Sequence, residues 1–236
     1  TYGDCTRLCP EAPVPIFNPT KVVENLGMAY NVYKNINSLG NQCRILTNEN
    51  CKRIVKTRFI DGVTNHMFMR LDENDKMYGN CKIKNIILNL YDAVVISDYN
   101  KGFLLQISPL IAWCRQQGLP CLIDPKVQDG RVYQGANYIK PNDRELHALL
   151  SFSISDYDGQ IKDEHVFALM KKFDWEVLLH TRGESGLSLY NSSTKSIVYD
   201  CPEPQFIYDV SGAGDTVSAS FVASLVWGYG DEKQQL

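Results

Sequence analysis

Near its C-terminal end the chain reads Asp209-Val-Ser-Gly-Ala-Gly-Asp215-Thr-Val-Ser-Ala-Ser-Phe221, with two glycines and an alanine where a loop becomes a helix. With no bulky side chains in the way, the backbone N–H groups of Gly212, Ala213 and Gly214 can converge on one point, reinforced by the positive end of the helix dipole. Such a turn attracts anions, phosphate above all. A carboxylate in the same turn, Asp215, is out of place in a pure anion site. It makes sense as a general base beside an acceptor hydroxyl, while the three N–H groups stabilise charge on a migrating phosphoryl group. Read locally, the segment is equally a glycine-rich loop with an acidic residue in the first turn of a helix.

Other segments supply groups that suit the same chemistry. In Lys140-Pro-Asn-Asp-Arg-Glu145, Asn142 and Glu145 have the i, i+3 spacing of a capping box, and an amide plus a carboxylate also suits water-mediated Mg²⁺ binding near a triphosphate. Both roles can coexist. Lys126, in Asp124-Pro-Lys126, lies just past a strand's C-terminal end, the edge at which open α/β sheets bind ligands. Thr181-Arg-Gly-Glu-Ser-Gly186 reads as a strand and a glycine-containing turn, the pattern of an ordinary hairpin connection.

Positioning these groups requires a sheet. From about residue 90, short β-rich runs alternate with helical stretches, the pattern of a parallel sheet with crossover helices. Strands are expected at 92–97, 121–124, 138–139 and 176–181, with further β-runs at 186–190 and 196–201. Helices are expected at 110–117, with Ser108 as N-cap and Pro109 in the first turn, at 143–150, near 163–173, and from Ala213 onward. The first third differs. Residues 13–17, 52–60 and 63–71 are extended runs, Asp61-Gly62 reads as a two-residue hairpin turn, and a helix over 29–39 is closed by Gly40. The expected architecture is α/β: one doubly wound, mostly parallel sheet flanked by helices, with a small antiparallel β-lid over about 13–26 and 52–72. Residues 1–236 are read as a single domain.

Composition narrows the function classes. With 44% hydrophobic and 22% charged residues and no apolar run near the ~18 needed to cross a bilayer, no membrane role is expected. A formal charge of −3 and scattered Lys and Arg supply no basic field for nucleic acid. Eight cysteines (Cys5, Cys9, Cys43, Cys51, Cys81, Cys114, Cys121 and Cys201), none at Cys-x-x-Cys spacing, read as reduced thiols and point to the cytoplasm. The chain opens with Thr1-Tyr-Gly-Asp rather than Met, so its natural start is expected upstream.

The spacing Asp-x-x-Gly-Ala-Gly-Asp-Thr, followed by a Ser/Ala-rich apolar helix, resembles the C-terminal signature of the ribokinase-like PfkB carbohydrate kinases. A Walker A motif is absent, so the P-loop kinases are not the right comparison. The resemblance implies an ATP-dependent sugar kinase using Mg²⁺, with Asp215 as catalytic base. By the same resemblance Asn142, Asp143, Arg144 and Glu145 lie at the nucleotide, Asn142 and Glu145 also at the metal through water, with Lys126, Thr181, Gly183 and Gly186 also at the nucleotide. It is more specific in Gly3-Asp-Cys-Thr-Arg-Leu-Cys-Pro-Glu-Ala-Pro-Val-Pro15, in Ser97-Asp-Tyr-Asn-Lys-Gly102, and in Lys56-Thr-Arg58 with Arg70-Leu-Asp72. These look like the kinase domain of the heptose 7-phosphate kinases, which phosphorylate the anomeric hydroxyl of a D-glycero-D-manno-heptose 7-phosphate to give the 1,7-bisphosphate.

Such an acceptor calls for cations, and Lys101, Arg58 and Arg70 are the candidates. Asp98 and Tyr99 are expected at sugar hydroxyls, as are Gly27 and Asn31, with Asn35 one helical turn on. Where the family shows Gly-Gly-Ala-Gly/Ala-Asn-Val, this chain has Gly27-Met-Ala-Tyr-Asn-Val32. Met28 and Tyr30 replace small residues there, so another sugar or nucleoside stays open, as does a non-catalytic nucleotide- or sugar-binding relative. The family's first strand would lie before Thr1, and segments that complete the adenine pocket would follow Leu236, so truncation at both ends is expected. A homodimer through the lid is also expected.

Overall fold

The computed structural model of the protein describes residues 1–27, 29–47, 51–74, 90–100, 107–126, 129–192, 194, 197–199 and 212–228. Two sheets organise it. The first pairs β1 (Tyr2–Leu8), β2 (Pro15–Lys21), β3 (Val55–Asp61) and β4 (Met67–Glu73) in the order β2-β1-β3-β4. The second runs β10-β9-β8-β7-β6-β5 from β5 (Val94–Ser97), β6 (Cys121–Asp124), β7 (Tyr138–Ile139), β8 (Val177–Thr181), β9 (Leu187–Asn191) and β10 (Ile197–Tyr199). β5 to β8 are parallel, and β9 and β10 add antiparallel pairs at one edge.

Helices cover both faces of the larger sheet. α1 (Ala29–Ser38) and α5 (Ala213–Val226) lie on one side, where Val32, Ile36 and Ala219 pack with Val95. α2 (Ile107–Gln116), α3 (Asp143–Ser153) and α4 (Asp163–Phe173) bury the other. There Ile96, Ile123, Ile139 and Leu178 meet Ile111, Leu146, Leu150 and Leu169 in the main core. The alternation of strand residues explains the division, since neighbours along a buried strand point to opposite faces. Tyr138 accordingly touches Phe221 of α5 edge-on, while its neighbour Ile139 joins the main core.

The expected doubly wound architecture is present, with three local differences. The lid has four strands, because the segment Tyr2–Leu8 pairs in parallel with β3 through Tyr2 and Ile60 and through Gly3 and Asp61. Gly3 is required there, since a Cβ would stand 2.4 Å from the Phe17 ring that lies across it. The β3–β4 connection is longer than the two residues expected. Gly62 donates its N–H to Gly3 O (2.8 Å), so it extends the contact with β1, and Asn65 (φ +57°) takes the left-handed position. Asp61 caps this loop by accepting from Thr64 N and Oγ1 at 2.8 and 2.6 Å. Finally, α2 already includes Ile107, and Ser108 Oγ donates to Val132 O (2.8 Å) instead of capping the helix.

Among the described residues no helix is long and apolar enough to cross a membrane. Cys5, Cys9, Cys43, Cys51, Cys114 and Cys121 are free thiols. Cys81 and Cys201 lie outside the described residues.

Candidate active site

The C-terminal ends of β5, β6, β7 and β8 deliver Asp98, Asp124, Lys140 and Thr181 to one edge, facing the first turn of α5. Gly212 is the N-cap of α5 with φ +91°, a conformation strained for any side chain, and a Cβ there would lie 3.1 Å from Asn31 Nδ2. Among the described residues no side chain caps the turn, and its first helical bond runs from Thr216 N to Gly212 O at 2.9 Å. The N–H groups of Ala213, Gly214 and Asp215 therefore have no intrahelical acceptor, the arrangement that binds phosphate oxygens.

Asp215 sits in that turn with only 9% of its surface exposed. Burial pushes its carboxyl above the ordinary aspartate value, while Asn31, Lys140 and the Tyr99 hydroxyl pull it back. Asn31 Nδ2 donates to Asp215 Oδ2 at 3.1 Å. One turn further along α1, Asn35 Nδ2 reaches Thr216 Oγ1 (3.1 Å), which in turn donates to Gly212 O (3.1 Å). Two asparagines of α1 thus hold this carboxylate and the helix cap that presents it. Tyr99 is pushed well up, first by burial and then by Asp215 and Asp124, so it stays protonated and can donate. A partly desolvated carboxylate of raised pKa with one donor already in place is suited to accept a proton from an alcohol.

Beneath the glycine turn lies a group that the motif reading passed over. Lys140 is 3% exposed, and its Nζ bonds Asp124 Oδ1 at 3.0 Å. The same Nζ is 3.4 Å from the point where a Cβ on Gly214 would stand. A buried ammonium is therefore set under the anion-binding turn, and Gly214 leaves room for it. Asp124 is pushed up to about 6, mainly by burial, with Lys140 opposing. The available signal was a lysine directly following a central parallel strand, where neighbouring strands must bury it.

The nucleotide-side candidates also gather here. Asn142 caps α3 in a full capping box: Glu145 N donates to Asn142 Oδ1 (2.9 Å) and Asn142 N to Glu145 Oε2 (3.0 Å). The second oxygen, Glu145 Oε1, meets Lys126 Nζ at 3.3 Å. Asn142 forms an isolated parallel bridge with Thr181, which brings the turn Thr181–Gly186 beside it. Gly183 and Gly186 have φ of +57° and +82°, and Gly183 faces open space. Arg144 is exposed. Asp143 does not join this group, because its Oδ1 bonds His180 Nε2 at 2.7 Å on the α3 side of the sheet.

The acceptor-side candidates divide. Asn31 and Tyr99 bond Asp215, and Asn35 bonds the adjoining Thr216. Asp98 is 8% exposed with both oxygens engaged, Oδ2 by Tyr133 OH (2.7 Å) and Oδ1 by Asn100 N (2.7 Å), so it shapes its loop. Tyr133 OH also accepts from Lys126 N at 2.9 Å, tying the Asp98 and Lys126 loops together. Gly27 precedes α1 and is exposed, and the Tyr30 ring rests on Tyr33, 5.2 Å between centroids. Arg58 and Arg70 oppose each other across β3 and β4, and Arg70 Nε pairs with Asp72 Oδ1 at 2.9 Å. Among the described residues neither arginine bonds to the Asp215 cluster. Lys101 and Met28, and the start of the signature from Asp209 to Ser211, lie outside the described residues.

Comparison with known proteins identifies the chain's relatives. Residues 44–234 match the model of the pfkB family carbohydrate kinases. The bifunctional protein HldE of Edwardsiella ictaluri is 33% identical over 258 residues, covering 96% of this chain and 53% of that protein. HldE of Coxiella burnetii is 31% identical over 259 residues, with the same coverage. The chain thus spans about half the length of the curated relatives it matches. In fold it is similar to ribokinase from Thermotoga maritima, with TM-score 0.65 and 15% identity over 98% of this chain and 83% of that one. It is also similar to phosphofructokinase-2 from Escherichia coli in complex with fructose-6-phosphate, with TM-score 0.64 and 15% identity over 96% and 83%. With the glycine turn, the buried carboxylate and its asparagine partner in the expected elements, and four fifths of the sequence matching one family model, the chain belongs to the pfkB family of carbohydrate kinases.

Proposed function

We propose that this chain transfers the γ-phosphoryl group of ATP to the anomeric hydroxyl of a heptose 7-phosphate. The observation that carries the reading is Asp215, buried in an uncapped glycine turn with Asn31 on one oxygen. Asp215 takes the proton of the acceptor hydroxyl as the new O–P bond forms and the bond to the β-phosphate oxygen breaks. The free N–H groups at the start of α5, with Lys140 beneath them, stabilise the charge on the transferred group. Thr181, Gly183, Gly186 and Lys126 hold the nucleotide phosphates. The choice of a heptose 7-phosphate is supported by the resemblance of the proline-spaced segment 3–15 and by the 33% identity to HldE.

Among the described residues no group of three or more His, Cys, Asp or Glu side chains surrounds a metal position. With both Glu145 oxygens engaged, the site suits Mg²⁺ bound to nucleotide phosphates and water, with Asn142 and Glu145 as outer partners. Such an ion neutralises phosphate charge. Tyr30 on the rim of α1 favours a second reading, a different sugar acceptor. The exposed side chains of Val55, Met69 and Leu71 on the lid support a homodimer through that face. Free thiols support a reducing, cytoplasmic setting.

An ADP-coupled assay over a panel of sugars and sugar phosphates tests the substrate. The heptose 7-phosphate should give the highest kcat/KM, and preference for another sugar would replace it. Asp215→Asn should lower kcat by about 10²–10⁴-fold. Retention of full rate by that variant would remove Asp215 as the base.

A further inference from the structure

A cavity of about 420 Å³ opens on the opposite face of the larger sheet from Asp215, between β8, β9 and the starts of α3 and α4. Its walls are polar, with His180 and Ser188 opposite each other on β8 and β9, Tyr190 further along, and His147 from α3. The carboxylates that line it are engaged: Asp143 Oδ1 with His180 Nε2 at 2.7 Å, and Asp163 Oδ1 with Tyr190 OH at 2.9 Å. Arg182 is different. Its side chain forms no hydrogen bond or ion pair among the described residues, and its Nε is buried without a partner. Arg182 lines the cavity together with His180 and Tyr190. A partly buried guanidinium with an unmet donor carries a cost that an oxyanion removes, because its planar fork matches carboxylate and phosphate oxygens.

We propose that this cavity is a second binding site, for a small oxyanion of metabolite size held by Arg182, a carboxylate or a phosphate ester. Its volume is in the range of small-molecule sites. Ser188 and Tyr190 offer hydroxyls to the rest of the ligand, and the N-terminal ends of α3 and α4 both border the cavity. Arg182 also joins Thr181 to Gly183, and its N–H donates to Gly186 O at 2.8 Å. An anion that fixes Arg182 therefore fixes the turn from behind. Provided that this turn faces the nucleotide, as proposed above, occupancy alters the KM for ATP.

The test titrates inorganic phosphate, and separately citrate, into the full chain and follows the imidazole NMR signals of His147 and His180. Both should shift saturably with the better-fitting probe. Arg182→Gln should weaken that binding at least about tenfold, and Arg182→Lys, which keeps the charge but loses the fork, should fall between. Stronger binding of phosphate marks the ligand as a phosphate ester, and stronger binding of citrate marks it as a carboxylate. If neither anion moves the histidine signals, or if Arg182→Gln binds as wild type does, the site is refuted. If the anion binds with no change in KM for ATP, the coupling is refuted. The nucleotide reading of the turn is tested apart from this by Thr181→Ala, whose KM for ATP must rise whether or not any anion binds behind it.

Discussion

Replacing Lys140 with methionine keeps the stem and removes the ammonium that holds Asp124. With Nζ 3.0 Å from Asp124 Oδ1 and the lysine 3% exposed, this is a buried pair. Breaking such a pair from one side costs about 3–5 kcal/mol. Asp124 already sits at about 6 against an ordinary 3.8, raised first by burial, and Lys140 is what lowers it. Without the lysine it rises further, and the carboxyl takes up a proton near neutral pH. For a carboxyl raised in the folded state, the stabilisation is complete below the unfolded value of 3.8 and disappears as pH rises through the folded value. Lowering the pH from 7.5 to 5 should therefore return ~1.4 kcal/mol to the wild type and more to the variant, each pH unit below the folded pKa being worth about 1.4 kcal/mol. Urea unfolding should show Lys140→Met less stable by about 3–5 kcal/mol at pH 7.5, with the deficit ~1–2 kcal/mol smaller at pH 5. Asp124→Asn in the same background should recover most of the loss at pH 7.5. A deficit that is equal at both pH values, or below ~1 kcal/mol, would refute the buried-pair argument.

Asn31→Leu removes a donor from Asp215, whose pKa then rises. If Asp215 is the base, as proposed, it must be ionised, and the acid limb of the kcat–pH profile should move up by about one to two units, a charged hydrogen bond being worth about 1.5–3 kcal/mol. Gly212→Ala places a Cβ at φ +91° and 3.1 Å from Asn31 Nδ2. It should lower both kcat and thermal stability, the strain alone amounting to about 1–2 kcal/mol, measured by steady-state kinetics and calorimetry. Gly3→Ala meets the Phe17 ring and should disturb the lid while leaving the α/β core protected, which hydrogen exchange on β1 and β3 against β6 and β8 would resolve.

The parts of the fold readable in the sequence are those decided locally. The β-runs and helices from residue 90 onward carry their own apolar pattern and caps, as with Asn142 and Glu145. Tyr2–Leu8 does not, because its exposed half, Thr6, Arg7 and Leu8, gives no apolar alternation, and it is held as a strand between β2 on one side and β3, more than fifty residues away, on the other. The length of the β3–β4 turn escaped for the same reason, since Gly62 is recruited by Gly3. At the site, Asp215 and Asn31 were legible as motif residues. Lys140 was not, because its role arises from Asp124 and Gly214, which lie close only after the sheet forms. The commitment of Asp98 to Tyr133 likewise depends on a tertiary contact, 35 residues apart.

Asn31 and the carboxylate it holds are separated by 184 residues. Closing so long a loop comes late in folding, after local helices and the neighbouring strands of the sheet have formed. Any folding intermediate in which α1 has not docked on α5 holds Asp215 without Asn31. On the proposed reading of Asp215 as the base, the site is thus completed by the same step that docks α1 on α5.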